Sequence, residues 1–191
     1  MGIDDIVSGD IAASQTVSAG RSVQKRVVPL AKRPMDWPIV LFFVLNLVLI
    51  TYIVDLEQLV IPDASHFTYP VWPPSFMIDA VHHYGYTFDP LLIARPAWWR
   101  ATIWIDVLLF GPFYVLAIYA FVKGQNWIKV PALVYSGMML SNVIIILFEE
   151  AYGPSAAPQL GIVLLLNMPW LLMPMYIIYR SLRAPRLFAE E

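Results

Sequence analysis

Four apolar runs divide the chain: Trp37–Val54, Ala101–Val122, Val130–Phe148 and Leu160–Tyr179. Between them they hold a single charged residue, Asp106. Each has the length of roughly 17–25 apolar residues that a helix needs to cross a bilayer, and only helices or closed barrels satisfy their backbone groups in hydrocarbon. The links after the second and third runs are too short for anything but a return, so the pattern predicts an all-α, polytopic membrane protein built as a bundle of four transmembrane helices.

The polar segments orient that bundle. Of the twelve Lys and Arg residues, all but Arg95 and Arg100 fall before the first run, between the second and third, or after the fourth. Basic residues are retained on the cytoplasmic side, which predicts both termini there. The opposite, lumenal or extracellular, side collects Asp55, Glu57, Asp63, Asp79, Asp89, Glu149 and Glu150. The resulting organisation is a mobile cytoplasmic tail over 1–34, a membrane domain over 35–185 and a short cytoplasmic tail over 186–191. Residues 1–34 have no apolar run, and so read as neither a cleavable signal nor a span. Met1-Gly2 opens like a myristoylation site, but Ile6 stands where that motif requires Ser or Thr. The connection over 55–100 carries all three histidines and many prolines. Its length predicts a structured cap over the bundle mouth, with a short helix around Ser75–Tyr84.

Composition then narrows the function. The 191 residues are 59% hydrophobic and 14% charged, against roughly 45–50% and 25% in soluble domains, which excludes an ordinary soluble fold. A net charge of −2 offers no basic excess for nucleic acid. With no cysteine, disulfides, thiolate metal sites and cysteine nucleophiles are all excluded. His82-His83 lacks the i, i+4 spacing that puts two ligands on one helix face, so no metal site is expected. Gly-rich phosphate loops and serine-hydrolase elbows are absent from the sequence, and no cofactor is called for.

Asp106 is the residue that most needs a reason. A carboxylate within a span costs roughly 2.5–3.5 kcal/mol on insertion scales, so it marks either a functional site or an aspartate bonded to a neighbouring helix. Asp55 closes the first span at the same mouth, and two carboxylates there could share a proton or capture a cation. Glu57, two residues on, reads as a solvated loop acid. Asn46, Asn142 and Asn167 could be interhelical glue. Asn167 leads into Asn167-Met168-Pro169-Trp170, where the proline removes a backbone donor and predicts an opened helix that presents an amide and an indole inward. Trp98, Trp99 and Trp127 read as interfacial anchors.

The order of motifs resembles the EXPERA-domain family, which includes the emopamil-binding sterol isomerase and the sigma-2 receptor. The likeness rests on Asp55-Leu56-Glu57, Phe88-Asp89-Pro90-Leu91-Leu92, Pro96-Ala97-Trp98 and Asp106 six residues before Pro112. It continues through Tyr119–Gly124, Tyr135-Ser136, Leu147-Phe148-Glu149-Glu150 and Pro169–Pro174, covering roughly residues 35–185. The receptor branch implies that Asp55 holds a ligand amine, braced by Asp89, with Tyr135 facing the ligand. The isomerase branch implies that Asp106 moves a proton and that Asn167 and Trp170 line a sterol pocket. That branch's span-one histidine corresponds to Thr51 here, so its usual proton shuttle is incomplete.

Three readings follow. The leading one is an isomerase or cyclase acting on a sterol or other terpenoid, with Asp106 and Asp55 as catalytic acids and Asp89, Tyr135, Asn167 and Trp170 as ligand-binding residues. The second is a non-catalytic binding protein for sterols or cationic amphiphiles, and the third an assembly subunit with purely structural polar residues. Membrane lipids are the expected surroundings, in the endoplasmic reticulum of a eukaryote or the plasma membrane of a bacterium. The resemblance also admits a homodimer.

Overall fold

The computed structural model of the protein describes residues 27–183 and 186–188. Most of the expected N-terminal tail, with its Met1-Gly2 start, lies outside the described residues. Four long helices, α1 (Pro34–Val60), α4 (Ala97–Lys123), α5 (Asn126–Tyr152) and α6 (Leu160–Arg183), are long and apolar enough to cross a membrane. They make this the architecture of a multi-pass membrane protein. Between α1 and α4 lie α2 (Ser75–Thr87) and the one-turn α3 (Leu91–Ala94), so the long connection does contain the expected short helix.

The long helices have 24–27 residues, roughly 36–40 Å at 1.5 Å per residue, which exceeds the ~30 Å hydrocarbon core. Charge ends an apolar run without ending the helix. The first span accordingly continues past Val54 to Val60, turning Glu57 and Gln58 inward, and both are buried. Along the outer faces, Leu41, Val48, Leu108, Val115, Leu165 and Leu172 are all more than half exposed, as side chains facing lipid should be.

Helix α1 packs along α4, and α5 along α6. Gly111 permits the first pairing: a Cβ there would stand 2.7 Å from the Tyr52 hydroxyl and 3.1 Å from Thr51 Cγ2. Small residues at such crossings let helix backbones approach. At the centre, Phe43, Phe110, Phe113, Tyr114 and Tyr135 form one aromatic cluster, with Tyr135 stacked on Phe113 at a centroid distance of 4.7 Å. Such pairs contribute about 0.5–1.5 kcal/mol beyond their burial.

The basic end is closed by ion pairs. Asp36, fully buried, accepts from Arg33 and, at 2.9 Å, from Arg180 Nε, tying α1 to α6. Arg33 also donates to the Phe121 carbonyl and lies over the Phe188 ring. Helix α4 ends at Gly124, whose φ of 68° is the left-handed conformation favoured at helix C-termini. Leu187 and Phe188, placed by the sequence in a short C-terminal tail, are packed into the core, and the Val28 amide donates to the Phe188 carbonyl.

Helix α6 departs from expectation. It runs unbroken through Pro169 and Pro174, whereas π-helical winding occurs at Asn46–Asp55 in α1 and Asp106–Phe110 in α4. The local distortion thus falls on the two helices that carry the acids. Wider turns of this kind frequently accompany functional sites.

Candidate functional site

At the acidic end the helices line a partly open cavity of about 440 Å³, within the usual range for small-molecule sites. Ile103, Phe110, Met139 and Val143 supply apolar wall, while Asp55, Asp89, Asp106, Glu150, Asn142, Asn167 and Trp170 supply polar groups. Among the described residues lining it, none is Lys, Arg or His.

The Asp55 and Asp106 carboxyls lie within hydrogen-bonding reach of each other. Such a bond between two carboxyls requires a proton on one of them. Asp106 is fixed by hydroxyl donors: Thr51 Oγ1 donates to its Oδ2 at 2.5 Å and the Tyr114 hydroxyl to its Oδ1 at 3.3 Å. The Tyr135 hydroxyl stands 3.3 Å behind that of Tyr114, so the two phenols form one hydrogen-bonded chain that ends on Asp106 as acceptor. Helix α4 begins at Ala97, which puts Asp106 roughly 13 Å along it, deeper than the apolar run alone implies.

The other expected residues distribute as follows. Asp89 lines the cavity, buried, but its hydrogen bond comes from the Leu91 amide at 3.2 Å, and no bond to Asp55 is present among the described residues. Burial lifts the Asp89 carboxyl from the usual 3.8 to about 6, partly opposed by that amide. Asn167 lines the cavity while donating to the Val163 carbonyl at 3.0 Å. Trp170 also lines it, its indole N–H donating to Asn46 Oδ1 at 2.8 Å. Tyr135 does not line the cavity; its ring packs on Phe110, which does, and its hydroxyl meets that of Tyr114. The structure therefore gathers Asp55, Asp89, Asp106, Asn167 and Trp170 around one space and holds Tyr135 behind it.

Several residues escaped sequence reasoning. Glu57 is fully buried, not solvated: Arg95 Nη2 donates to its two oxygens at 3.0 and 2.9 Å, and His82 Nε2 donates to Oε1 at 2.7 Å. Arg95 also donates to the carbonyls of Leu92 and Ile61, from a left-handed backbone with φ of 44°. A non-glycine residue there costs of order 1–3 kcal/mol and persists only when its surroundings hold it, which here are the bonds to its guanidinium. Trp99 is no interfacial anchor. It is buried in the cavity wall, its indole N–H donating to Gln58 Oε1 at 2.6 Å. The Glu57–Arg95 pair spans 38 positions, so no local motif signals it.

Comparison with known proteins identifies the relatives of the chain. Residues 76–181 match the EXPERA (EXPanded EBP superfamily) family. The chain is similar to Sigma intracellular receptor 2 of Homo sapiens, 30% identical over 177 residues, covering 85% of this chain and 96% of that protein. It is likewise similar to the Macaca fascicularis protein of that name, 30% identical with 86% and 96% covered, and to the Xenopus tropicalis one, 29% identical with 83% and 94% covered.

Proposed function

The chain belongs to the EXPERA family, and on that premise we propose that it is an intramembrane binding protein for a hydrophobic ligand carrying a cationic amine. Asp55 is the counter-charge and Asp106 its supporting carboxyl. The observation that carries this reading is the facing Asp55–Asp106 pair in an aromatic and aliphatic cavity with no basic side chain among its described lining residues. Thr51 and Tyr114 occupy Asp106 with hydroxyl donors, which leaves Asp55 as the freer acceptor. An ammonium entering there would replace the shared proton and put a charge-assisted bond in a site shielded from water. The apolar wall and the face of Trp170 would take the ligand's hydrocarbon and add cation–π attraction. The names of the relatives, receptors in each case, point the same way, and the basic cluster of Arg33, Lys123 and Arg180 supports a cytoplasmic assignment of both chain ends.

The experiment is calorimetric titration of the purified protein in lipid nanodiscs with dimethyldodecylamine and with dodecanol. Binding of the amine and not of the alcohol supports the reading. Equal binding of both refutes a cation site.

A second reading, an isomerase or cyclase for a sterol or other terpenoid, is favoured by the carboxyl pair meeting Trp170 in the same space. The protonated carboxyl would deliver its proton to an alkene carbon, and the carboxylate, with the indole face, would stabilise the carbocation at the adjacent carbon. Loss of a neighbouring C–H proton to the carboxylate would re-form the double bond one position along, restoring the starting protonation state. Threonine at position 51, where the resemblance calls for histidine, weighs against it. An isomerised product from a sterol mixture, made by wild type and not by Asp106→Asn, would establish it.

A further inference from the structure

The cavity has a second acidic pole that the amine reading leaves unused. Glu150 is 1% exposed and lines the cavity, yet its Oε2 has no hydrogen-bond partner among the described residues. A buried carboxyl oxygen without a donor is costly, roughly 1–3 kcal/mol or more, and native structures contain few of them. The Asp89 carboxyl acts electrostatically on Glu150, and both act on the Tyr84 hydroxyl, which burial and these two charges push up to about 12. Asp89 and Tyr84 line the same cavity. This pole stands apart from the deep one. Trp98 of α4 and, from α5 and its end, Ile145, Phe148, Glu149, Tyr152 and Gly153 line one surface hollow, so Trp98 stands level with this stretch of α5. Glu150 lies at that level, whereas Asp106 lies eight residues deeper along α4 than Trp98, about 12 Å at 1.5 Å per residue.

We infer that the cavity takes an elongated hydrophobic diamine, one ammonium between Asp55 and Asp106 and the other against Glu150 and Asp89, with nitrogens on the order of 10 Å apart. The inference rests on the amine-binding reading above and names its ligand class. Asp55 and Asp106 alone would accept any hydrophobic monoamine. The unpartnered Glu150 oxygen, buried at the other end of an apolar passage, calls for a second donor on the same molecule. Two tethered contacts then bind as one event, the second at high effective concentration.

The test compares tetramethyloctanediamine with dimethyloctylamine, whose chains match, by calorimetry in nanodiscs. In wild type the diamine should bind at least tenfold tighter. Glu150→Gln should bring that ratio to within threefold of unity, Glu150→Asp should restore most of it, and Asp55→Asn should weaken both amines. A wild-type ratio below threefold overturns the second pole while leaving amine binding intact, and this comparison needs no variant to fold. A ratio unaltered by Glu150→Gln overturns the assignment to Glu150. Failure of wild type to bind either amine overturns both this inference and the reading on which it rests.

Discussion

Replacing Glu57 by alanine should be among the most damaging single changes in this protein. The side chain is fully buried and accepts two bonds from Arg95 and one from His82. Its removal leaves the Arg95 guanidinium, 6% exposed, with two backbone carbonyls and no counter-charge. Breaking a buried pair from one side costs about 3–5 kcal/mol, because the surviving charge stays out of water. At about 2–4 °C per kcal/mol for a chain of this size, the melting temperature in detergent micelles should fall by roughly 6–20 °C. The assay is thermal unfolding followed by tryptophan fluorescence. A Glu57→Met/Arg95→Met double variant removes both charges and should recover at least about 1 kcal/mol relative to the sum of the single changes. A loss under about 1 kcal/mol for Glu57→Ala, or strict additivity in the cycle, would refute the claim that buried Arg95 depends on Glu57 as its counter-charge.

Other expectations follow from the same geometry. Gly111→Val should part α1 from α4, since even a Cβ meets the Tyr52 hydroxyl at 2.7 Å; overpacking costs typically 1–3 kcal/mol, and amine affinity should fall with melting temperature, whereas unchanged binding would show that the Thr51–Asp106 contact is dispensable. Asp89→Asn should stabilise the protein, and only at higher pH. In the folded chain Asp89 holds its proton up to about pH 6, against the usual 3.8, so wild-type stability falls as pH rises between those values, by up to about 3 kcal/mol. The variant, free of that loss, should match wild type below pH 4 and exceed it above pH 6 in parallel thermal melts; equal stability at all pH values would show that Asp89 pays no burial cost.

Much of the frame was legible in the apolar runs: four helices, the short helix of the connection, and an acidic mouth opposite a basic end. What escaped was any feature decided by pairing across long separations. Glu57 looked solvated because charge is a reliable end to an apolar run but a poor one to a helix, and its partner Arg95 lies 38 positions away. Trp99 looked like an interfacial anchor because nothing local reveals that Gln58 receives its indole N–H. Pro169 invited an opened helix, yet α6 stays continuous. The winding changes instead at Asn46–Asp55 and Asp106–Phe110, where no proline stands. Asp55 and Asp106 themselves were readable, because an acid at the edge of hydrocarbon must have a reason. That Thr51 would orient Asp106 required the helix crossing that Gly111 allows, whereas Tyr114 reaches Asp106 along the same helix.

The central claim, that Asp55 is the counter-charge of a bound cation, is tested most directly by the affinity of wild type and Asp55→Asn for dimethyldodecylamine in nanodiscs. Asparagine keeps the shape and an acceptor and removes the charge. Truncating one partner of a buried, hydrogen-bonded charge pair costs at least about 2 kcal/mol, so the variant should bind roughly 30-fold more weakly or worse, with its melting temperature maintained. A change in affinity below threefold in a folded variant would contradict the account.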